Sequence, residues 1–95
     1  MAINIQHFFD KDPDSILDYV FDWSKWLQVG ETIASKSFTH SDGIVINSSA
    51  ITGTGTKVTV WIAGGVSKLE YCTCHIITSE GREEDCTMGF NIVNK

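Results

Sequence analysis

Apolar and polar residues alternate in short runs along this chain, with a period close to two. From Lys57 to Ile62 the alternation is clean, with Val58, Val60 and Ile62 on one face. Leu69 to Thr78 places Cys72, Cys74 and Ile76 together, and Asp85 to Val93 does the same for Cys86, Met88, Phe90 and Ile92. Between these two runs, Ser79-Glu80-Gly81-Arg82 has the make-up of a hairpin loop. From Leu17 to Trp23, Tyr19, Phe21 and Trp23 share one face, while Asp18, Val20 and Asp22 share the other. Ile3 to Gln6, Thr32 to Thr39 and Ile44 to Ser48 are further strand candidates, and Ser41-Asp42-Gly43 is a turn signal. Helical signals are brief: Asp12-Pro13-Asp14-Ser15 and Ser24-Lys25-Trp26-Leu27 each suit one short turn.

About seven strands at 8–12-residue spacing, separated by glycine turns, predict an all-β fold. The expected architecture is a small antiparallel immunoglobulin-like β-sandwich with one or two short helical turns near the N-terminus. Composition agrees: eleven Ile, seven Val and nine Thr stand against three Leu, and β-branched side chains suit a pleated surface. At 95 residues there is room for one domain. Residues 1–9 are expected to form an N-terminal arm or first strand, and residues 10–95 a single sandwich domain.

Charge and motif chemistry narrow the function. The formal net charge is −5, and the seven basic residues are scattered singly, so nucleic acid is not an expected partner. The apolar runs are far shorter than the roughly 20 residues of a membrane-spanning helix, so a membrane is not expected either. The start of the chain has neither the basic nor the apolar region of a signal peptide, which points to synthesis in a cytoplasm. Three cysteines cannot all pair within one chain, and Cys72, Cys74 and Cys86 lack the spacing of a zinc quartet, so they are read as buried thiols. Asp10, Asp12 and Asp14 bring carboxylates together, but the glycine and the bidentate glutamate of a calcium loop are missing. His7, His40 and His75 lie far apart, no serine sits in a nucleophile elbow, and Gly53, Gly55, Gly64 and Gly65 do not form a phosphate-binding loop. No catalytic set, metal site or cofactor is expected.

Aromatic residues are the more telling feature. Tyr19, Phe21, Trp23 and Trp26 fall within eight residues, and Trp61 sits on the Lys57–Ile62 run. Most suit the interior of a small sandwich, yet Trp and Tyr also dominate binding interfaces. Trp26, in a turn beside Lys25, and Trp61 are candidate partner-binding residues. So are Ile3, Ile5, Phe8 and Phe9 of the apolar N-terminal segment, which could exchange with a neighbouring copy.

Several blocks together carry a resemblance. They are K-D-P-D-x-x-L-D-Y-x-F-D-W-S-x-W-L from Lys11 to Leu27, G-E-T-I-x-S from Gly30 to Ser35, V-T-V-W-x-x-G-G from Val58 to Gly65 and I-x-T-x-x-G-R from Ile76 to Arg82. They resemble a family of small virion structural proteins of tailed bacteriophages, described as fibre–tail adaptors, over roughly residues 10–93. The first block is the specific one. The three cysteines depart from the pattern, standing where valine-like or threonine-like residues would be ordinary. The resemblance implies a non-enzymatic β-sandwich in the virion, made in the host cytoplasm. It would work as a homo-oligomer touching other phage tail, fibre or capsid proteins. Capsid decoration by the same fold, and a carbohydrate-binding module using Trp26 and Trp61, are the alternatives.

Overall fold

In a computed structural model, described for residues 5–94, the period-two runs become seven strands: β1 His7–Lys11, β2 Ile16–Asp22, β3 Ile33–His40, β4 Ile44–Thr52, β5 Lys57–Gly64, β6 Leu69–Thr78 and β7 Glu83–Ile92. They form a four-stranded sheet in the order β1-β7-β6-β3 and a three-stranded sheet in the order β2-β5-β4. All pairings are antiparallel except β1 with β7, which is parallel and sets His7 opposite Met88 and Lys11 opposite Ile92. Among the described residues no helix is long and apolar enough to cross a membrane.

Alternation decides what is buried. Tyr19, Phe21, Val58, Val60 and Ile62 point inward from the three-stranded sheet. They meet Cys72, Cys74, Ile76, Met88 and Phe90 from the other, so both expected cysteine faces lie in the core. Trp23, just past β2, is also buried, its ring edge-on to Trp26 at 5.5 Å.

Several boundaries differ from the sequence reading. The two helical turns expected near the N-terminus do not form helices. Asp12–Ser15 closes instead as a tight turn: Ser15 N–H donates to the Asp12 carbonyl at 3.0 Å, and the Asp12 carboxylate accepts Asp14 N–H at 2.8 Å. That carboxylate serves one turn as well as it would serve a helix N-terminus. Ser24–Leu27 makes a single turn, with Trp26 and Leu27 N–H both on the Trp23 carbonyl at 3.0 Å. One such turn cannot offset the cost of helix nucleation without a following amphipathic stretch. Among the described residues the first strand begins at His7, and Ile3, the expected start of a strand, lies outside them. β4 runs on to Thr52 because the polar Ser48–Ala50 stretch continues its pairing with β5 past an irregularity between Ile46 and Ser48.

The hairpin after β6 forms as expected. Thr78 N–H donates to the Arg82 carbonyl at 2.8 Å, and Gly81 takes φ +80°, where a side chain would be strained.

Candidate partner-binding faces

Two solvent-facing surfaces carry the candidate residues. The outer surface of β2-β5-β4 is built row by row from the strand register. Ile16, Ala63 and Val45 form one row, Asp18, Trp61 and Ser48 the next, then Val20, Thr59 and Ala50, and last Asp22, Lys57 and Thr52. Trp61 stands at its centre, 41% exposed, with Ile16, Val20 and Val45 each about half exposed around it. Ordinary alternation would make this surface polar. Here it is an apolar patch with one carboxylate beside its tryptophan.

The outer surface of the other sheet holds a smaller apolar cluster. Phe8, 57% exposed, and the half-buried Ile5 both lie over Gly89. A Cβ there would stand 2.8 Å from Ile5 Cγ2 and 2.9 Å from Phe8 Cε1. Tyr71 pairs with Gly89 across the ladder and extends this cluster. The rest of that surface is polar. Thr73 and Thr87 hydroxyls meet at 2.7 Å, and His75 sits between two carboxylates, Nδ1 2.6 Å from Asp85 Oδ1 and Nε2 2.8 Å from Glu83 Oε1. The Asp85 hydrogen bond, then that of Glu83, raises the His75 pKa above its usual value. Ser37 is the cross-strand neighbour of His75, but both imidazole nitrogens are taken up by carboxylates, so the ring does not reach the hydroxyl as a base.

The remaining candidates are placed differently. Phe9 turns inward and packs edge-on against Tyr19 at 5.3 Å and stacked on Phe90 at 6.1 Å. It borders a cleft of about 410 Å³ shared with Trp23, Cys86 and Met88. Trp26 is half-buried rather than exposed, because the Arg82 guanidinium lies 4.0 Å from its ring centroid. Arg82 forks onto the buried Glu31, Nε to Oε2 at 2.9 Å and Nη2 to Oε1 at 2.5 Å. Thr78 Oγ1 also donates to that carboxylate, at 2.5 Å. The Arg82 hydrogen bonds pull the Glu31 carboxyl down to about 2 against the opposing effect of its burial.

The structure thus brings Ile5 and Phe8 together, sets Trp61 alone on the opposite side, and uses Trp26 to hold one end of the sandwich. Sequence reasoning missed Ile16, Val45 and Asp18 as members of the Trp61 surface. The one available signal was that Asp18 and Val20 share a face opposite the aromatic one.

A family model described as Podophage GP4 fiber-tail adaptor protein gp77 matches residues 11–90. No curated protein matches the chain.

Proposed function

The chain belongs to the podophage GP4 fiber-tail adaptor family, and from that premise we propose that it joins tail and fibre proteins in the virion by protein–protein contacts alone, without catalysis. The observation that carries this reading is the pair of apolar clusters on opposite sides of one small sandwich, Trp61 with Ile16, Val20 and Val45 on one and Phe8 with Ile5 on the other. A bridging protein needs two separate adhesive surfaces, and exposed apolar patches mark such surfaces.

The same proposal has copies of the chain assembling as a homo-oligomer, since repeated copies of one small domain give an adaptor a repeated contact surface. Exchange of the N-terminal arm of residues 1–9 with a neighbouring copy suits that reading, because β1 forms a sheet edge, paired in parallel to β7 over His7–Lys11 with Gln6 N–H also on the Thr87 carbonyl at 3.0 Å. The immunoglobulin-like reading of the domain at 10–95 is supported by strand order. β2-β5-β4 and β3-β6-β7 correspond to the B-E-D and C-F-G groups of that sandwich.

Immunogold electron microscopy of purified virions tests the function. Label confined to the tail vertex is expected. Label spread over the capsid would replace the adaptor reading with capsid decoration, and unlabelled virions would end both.

A further inference from the structure

Asp18 and Trp61 face one another across the β2–β5 ladder on the outer surface. The main-chain bond from Trp23 N–H to the Thr56 carbonyl, five residue pairs along, fixes the alternation of that ladder. It makes Asp18/Trp61 a non-hydrogen-bonded pair, the kind in which side chains approach most closely. Among the described residues the Asp18 carboxylate makes no hydrogen bond or ion pair. Lys57, the basic residue on this surface, stands opposite Asp22 two rows away.

The chain shows elsewhere what completes such a pair. At the end of the sandwich one guanidinium lies over the Trp26 ring and forks onto the Glu31 carboxylate. The outer surface repeats the indole and the carboxylate but has no guanidinium. We propose that Asp18 and Trp61 form an arginine-receiving anchor, filled by an arginine at the centre of an apolar surface on a tail or fibre protein. This rests on the adaptor reading.

The chemistry favours that occupant. A guanidinium stacks on an indole and donates two parallel hydrogen bonds to a carboxylate, which an ammonium cannot do. Ile16, Val20 and Val45 would exclude water around the anchor, where a charge-assisted bond is stronger than in solvent. Five of the twelve acidic residues fall between Asp10 and Asp22. Lys11 is buried against carbonyls and Lys57 stands opposite Asp22, so Asp18 is the carboxylate on this surface left to face a basic partner. A second copy of this chain is excluded as the occupant, because its single arginine, Arg82, is already held by Glu31 and Trp26.

Virions carrying p-benzoyl-phenylalanine at position 45, in the row next to Trp61, would be irradiated and the cross-linked peptides sequenced. In parallel, fibre loading would be measured for virions with Asp18→Arg, Asp18→Asn, Trp61→Ala and Trp61→Phe, the stability of each purified variant having been checked by unfolding. The expected cross-link is to a tail or fibre peptide containing arginine. Asp18→Arg and Trp61→Ala should lower loading at least about tenfold, Trp61→Phe should lower it less, and Asp18→Arg should be rescued by reversing the charge of the partner's arginine. Wild-type loading by stable Asp18→Arg and Trp61→Ala variants, or a cross-link to a peptide without arginine, overturns the anchor and leaves the adaptor function standing. Absence of the wild-type chain from virions overturns both.

Discussion

The ammonium of Lys11 donates to the carbonyl of Gly64 at 2.6 Å, although 53 residues separate them. The same Nζ reaches the carbonyls of Ser15 at 2.8 Å and Asp12 at 3.1 Å, so a lysine that is 1% exposed spends all three of its protons on main-chain oxygens. Burial lowers its pKa, and the nearby Asp12 and Asp14 act against that. One side chain thereby ties the end of β1, the β1–β2 turn and the end of β5. Lys11→Met keeps the stem and orphans those carbonyls, and is expected to cost about 3 kcal/mol. Urea unfolding of the two proteins checks it, and a loss below about 1 kcal/mol would mean that water replaces the ammonium without penalty.

Trp23 closes the core next to the cleft and supports the Trp26 ring on which Arg82 lies. Trp23→Ala removes a 5%-exposed side chain from that position. The expected cost is about 3–5 kcal/mol, from lost apolar burial and the cavity left behind. Denaturant titration measures it. A cost below about 1 kcal/mol would show that the site collapses around the smaller residue.

How far these features are legible in the sequence depends on whether their cause is local. Alternation is local, so Val58, Val60 and Ile62, and likewise Tyr19, Phe21 and Trp23, announce their inward direction without any tertiary knowledge. The span Leu69–Thr78 can be read whole because a hairpin loop bounds one end of it. Asp12-Pro13 misleads because a helix start and a tight turn use the same residues. Lys11 and Trp26 are illegible for another reason. A lone lysine beside aspartates has the pattern of a surface residue, and nothing near it points to Gly64; Trp26 owes its cover to Arg82, 56 residues onward. Asp18 and Trp61 occupy an intermediate position, since each face can be read from its own strand but their pairing needs the β2–β5 register.

The cysteines should differ in reactivity. Cys72 and Cys74 are fully buried, and burial pushes both thiols up to about 12; burial also raises the Cys86 thiol, but Cys86 is only half-buried and borders the cleft, where a reagent can reach it. The thiolate is the reacting species, so the two buried thiols stay inert while the fold is intact. With Ellman's reagent at pH 8, the native protein should release one equivalent of chromophore, and three after unfolding in guanidinium. Rapid loss of all three thiols without denaturant would contradict the burial of the β6 pair.

Acid should loosen the end of the sandwich through Glu31. Its carboxyl is held down to about 2, chiefly by the Arg82 hydrogen bonds, below the 4.5 of an unperturbed glutamate. Between those values the unfolded chain binds the proton and the folded one does not, so the stabilisation is complete above about pH 4.5 and is lost as the pH falls toward 2. Glu31→Gln removes this ionisation while keeping the side chain's shape and one acceptor oxygen. The variant should be less stable than the wild type at pH 7, because Arg82 loses its charged partner. Its stability should also fall less steeply between pH 4.5 and 2, leaving only the contribution of other carboxyls such as Asp22, whose pKa is lowered first by its hydrogen bonds with Ser24. Unfolding free energies measured at half-unit pH steps compare the two proteins, and parallel acid limbs would show that Glu31 is not the group whose protonation loosens the fold.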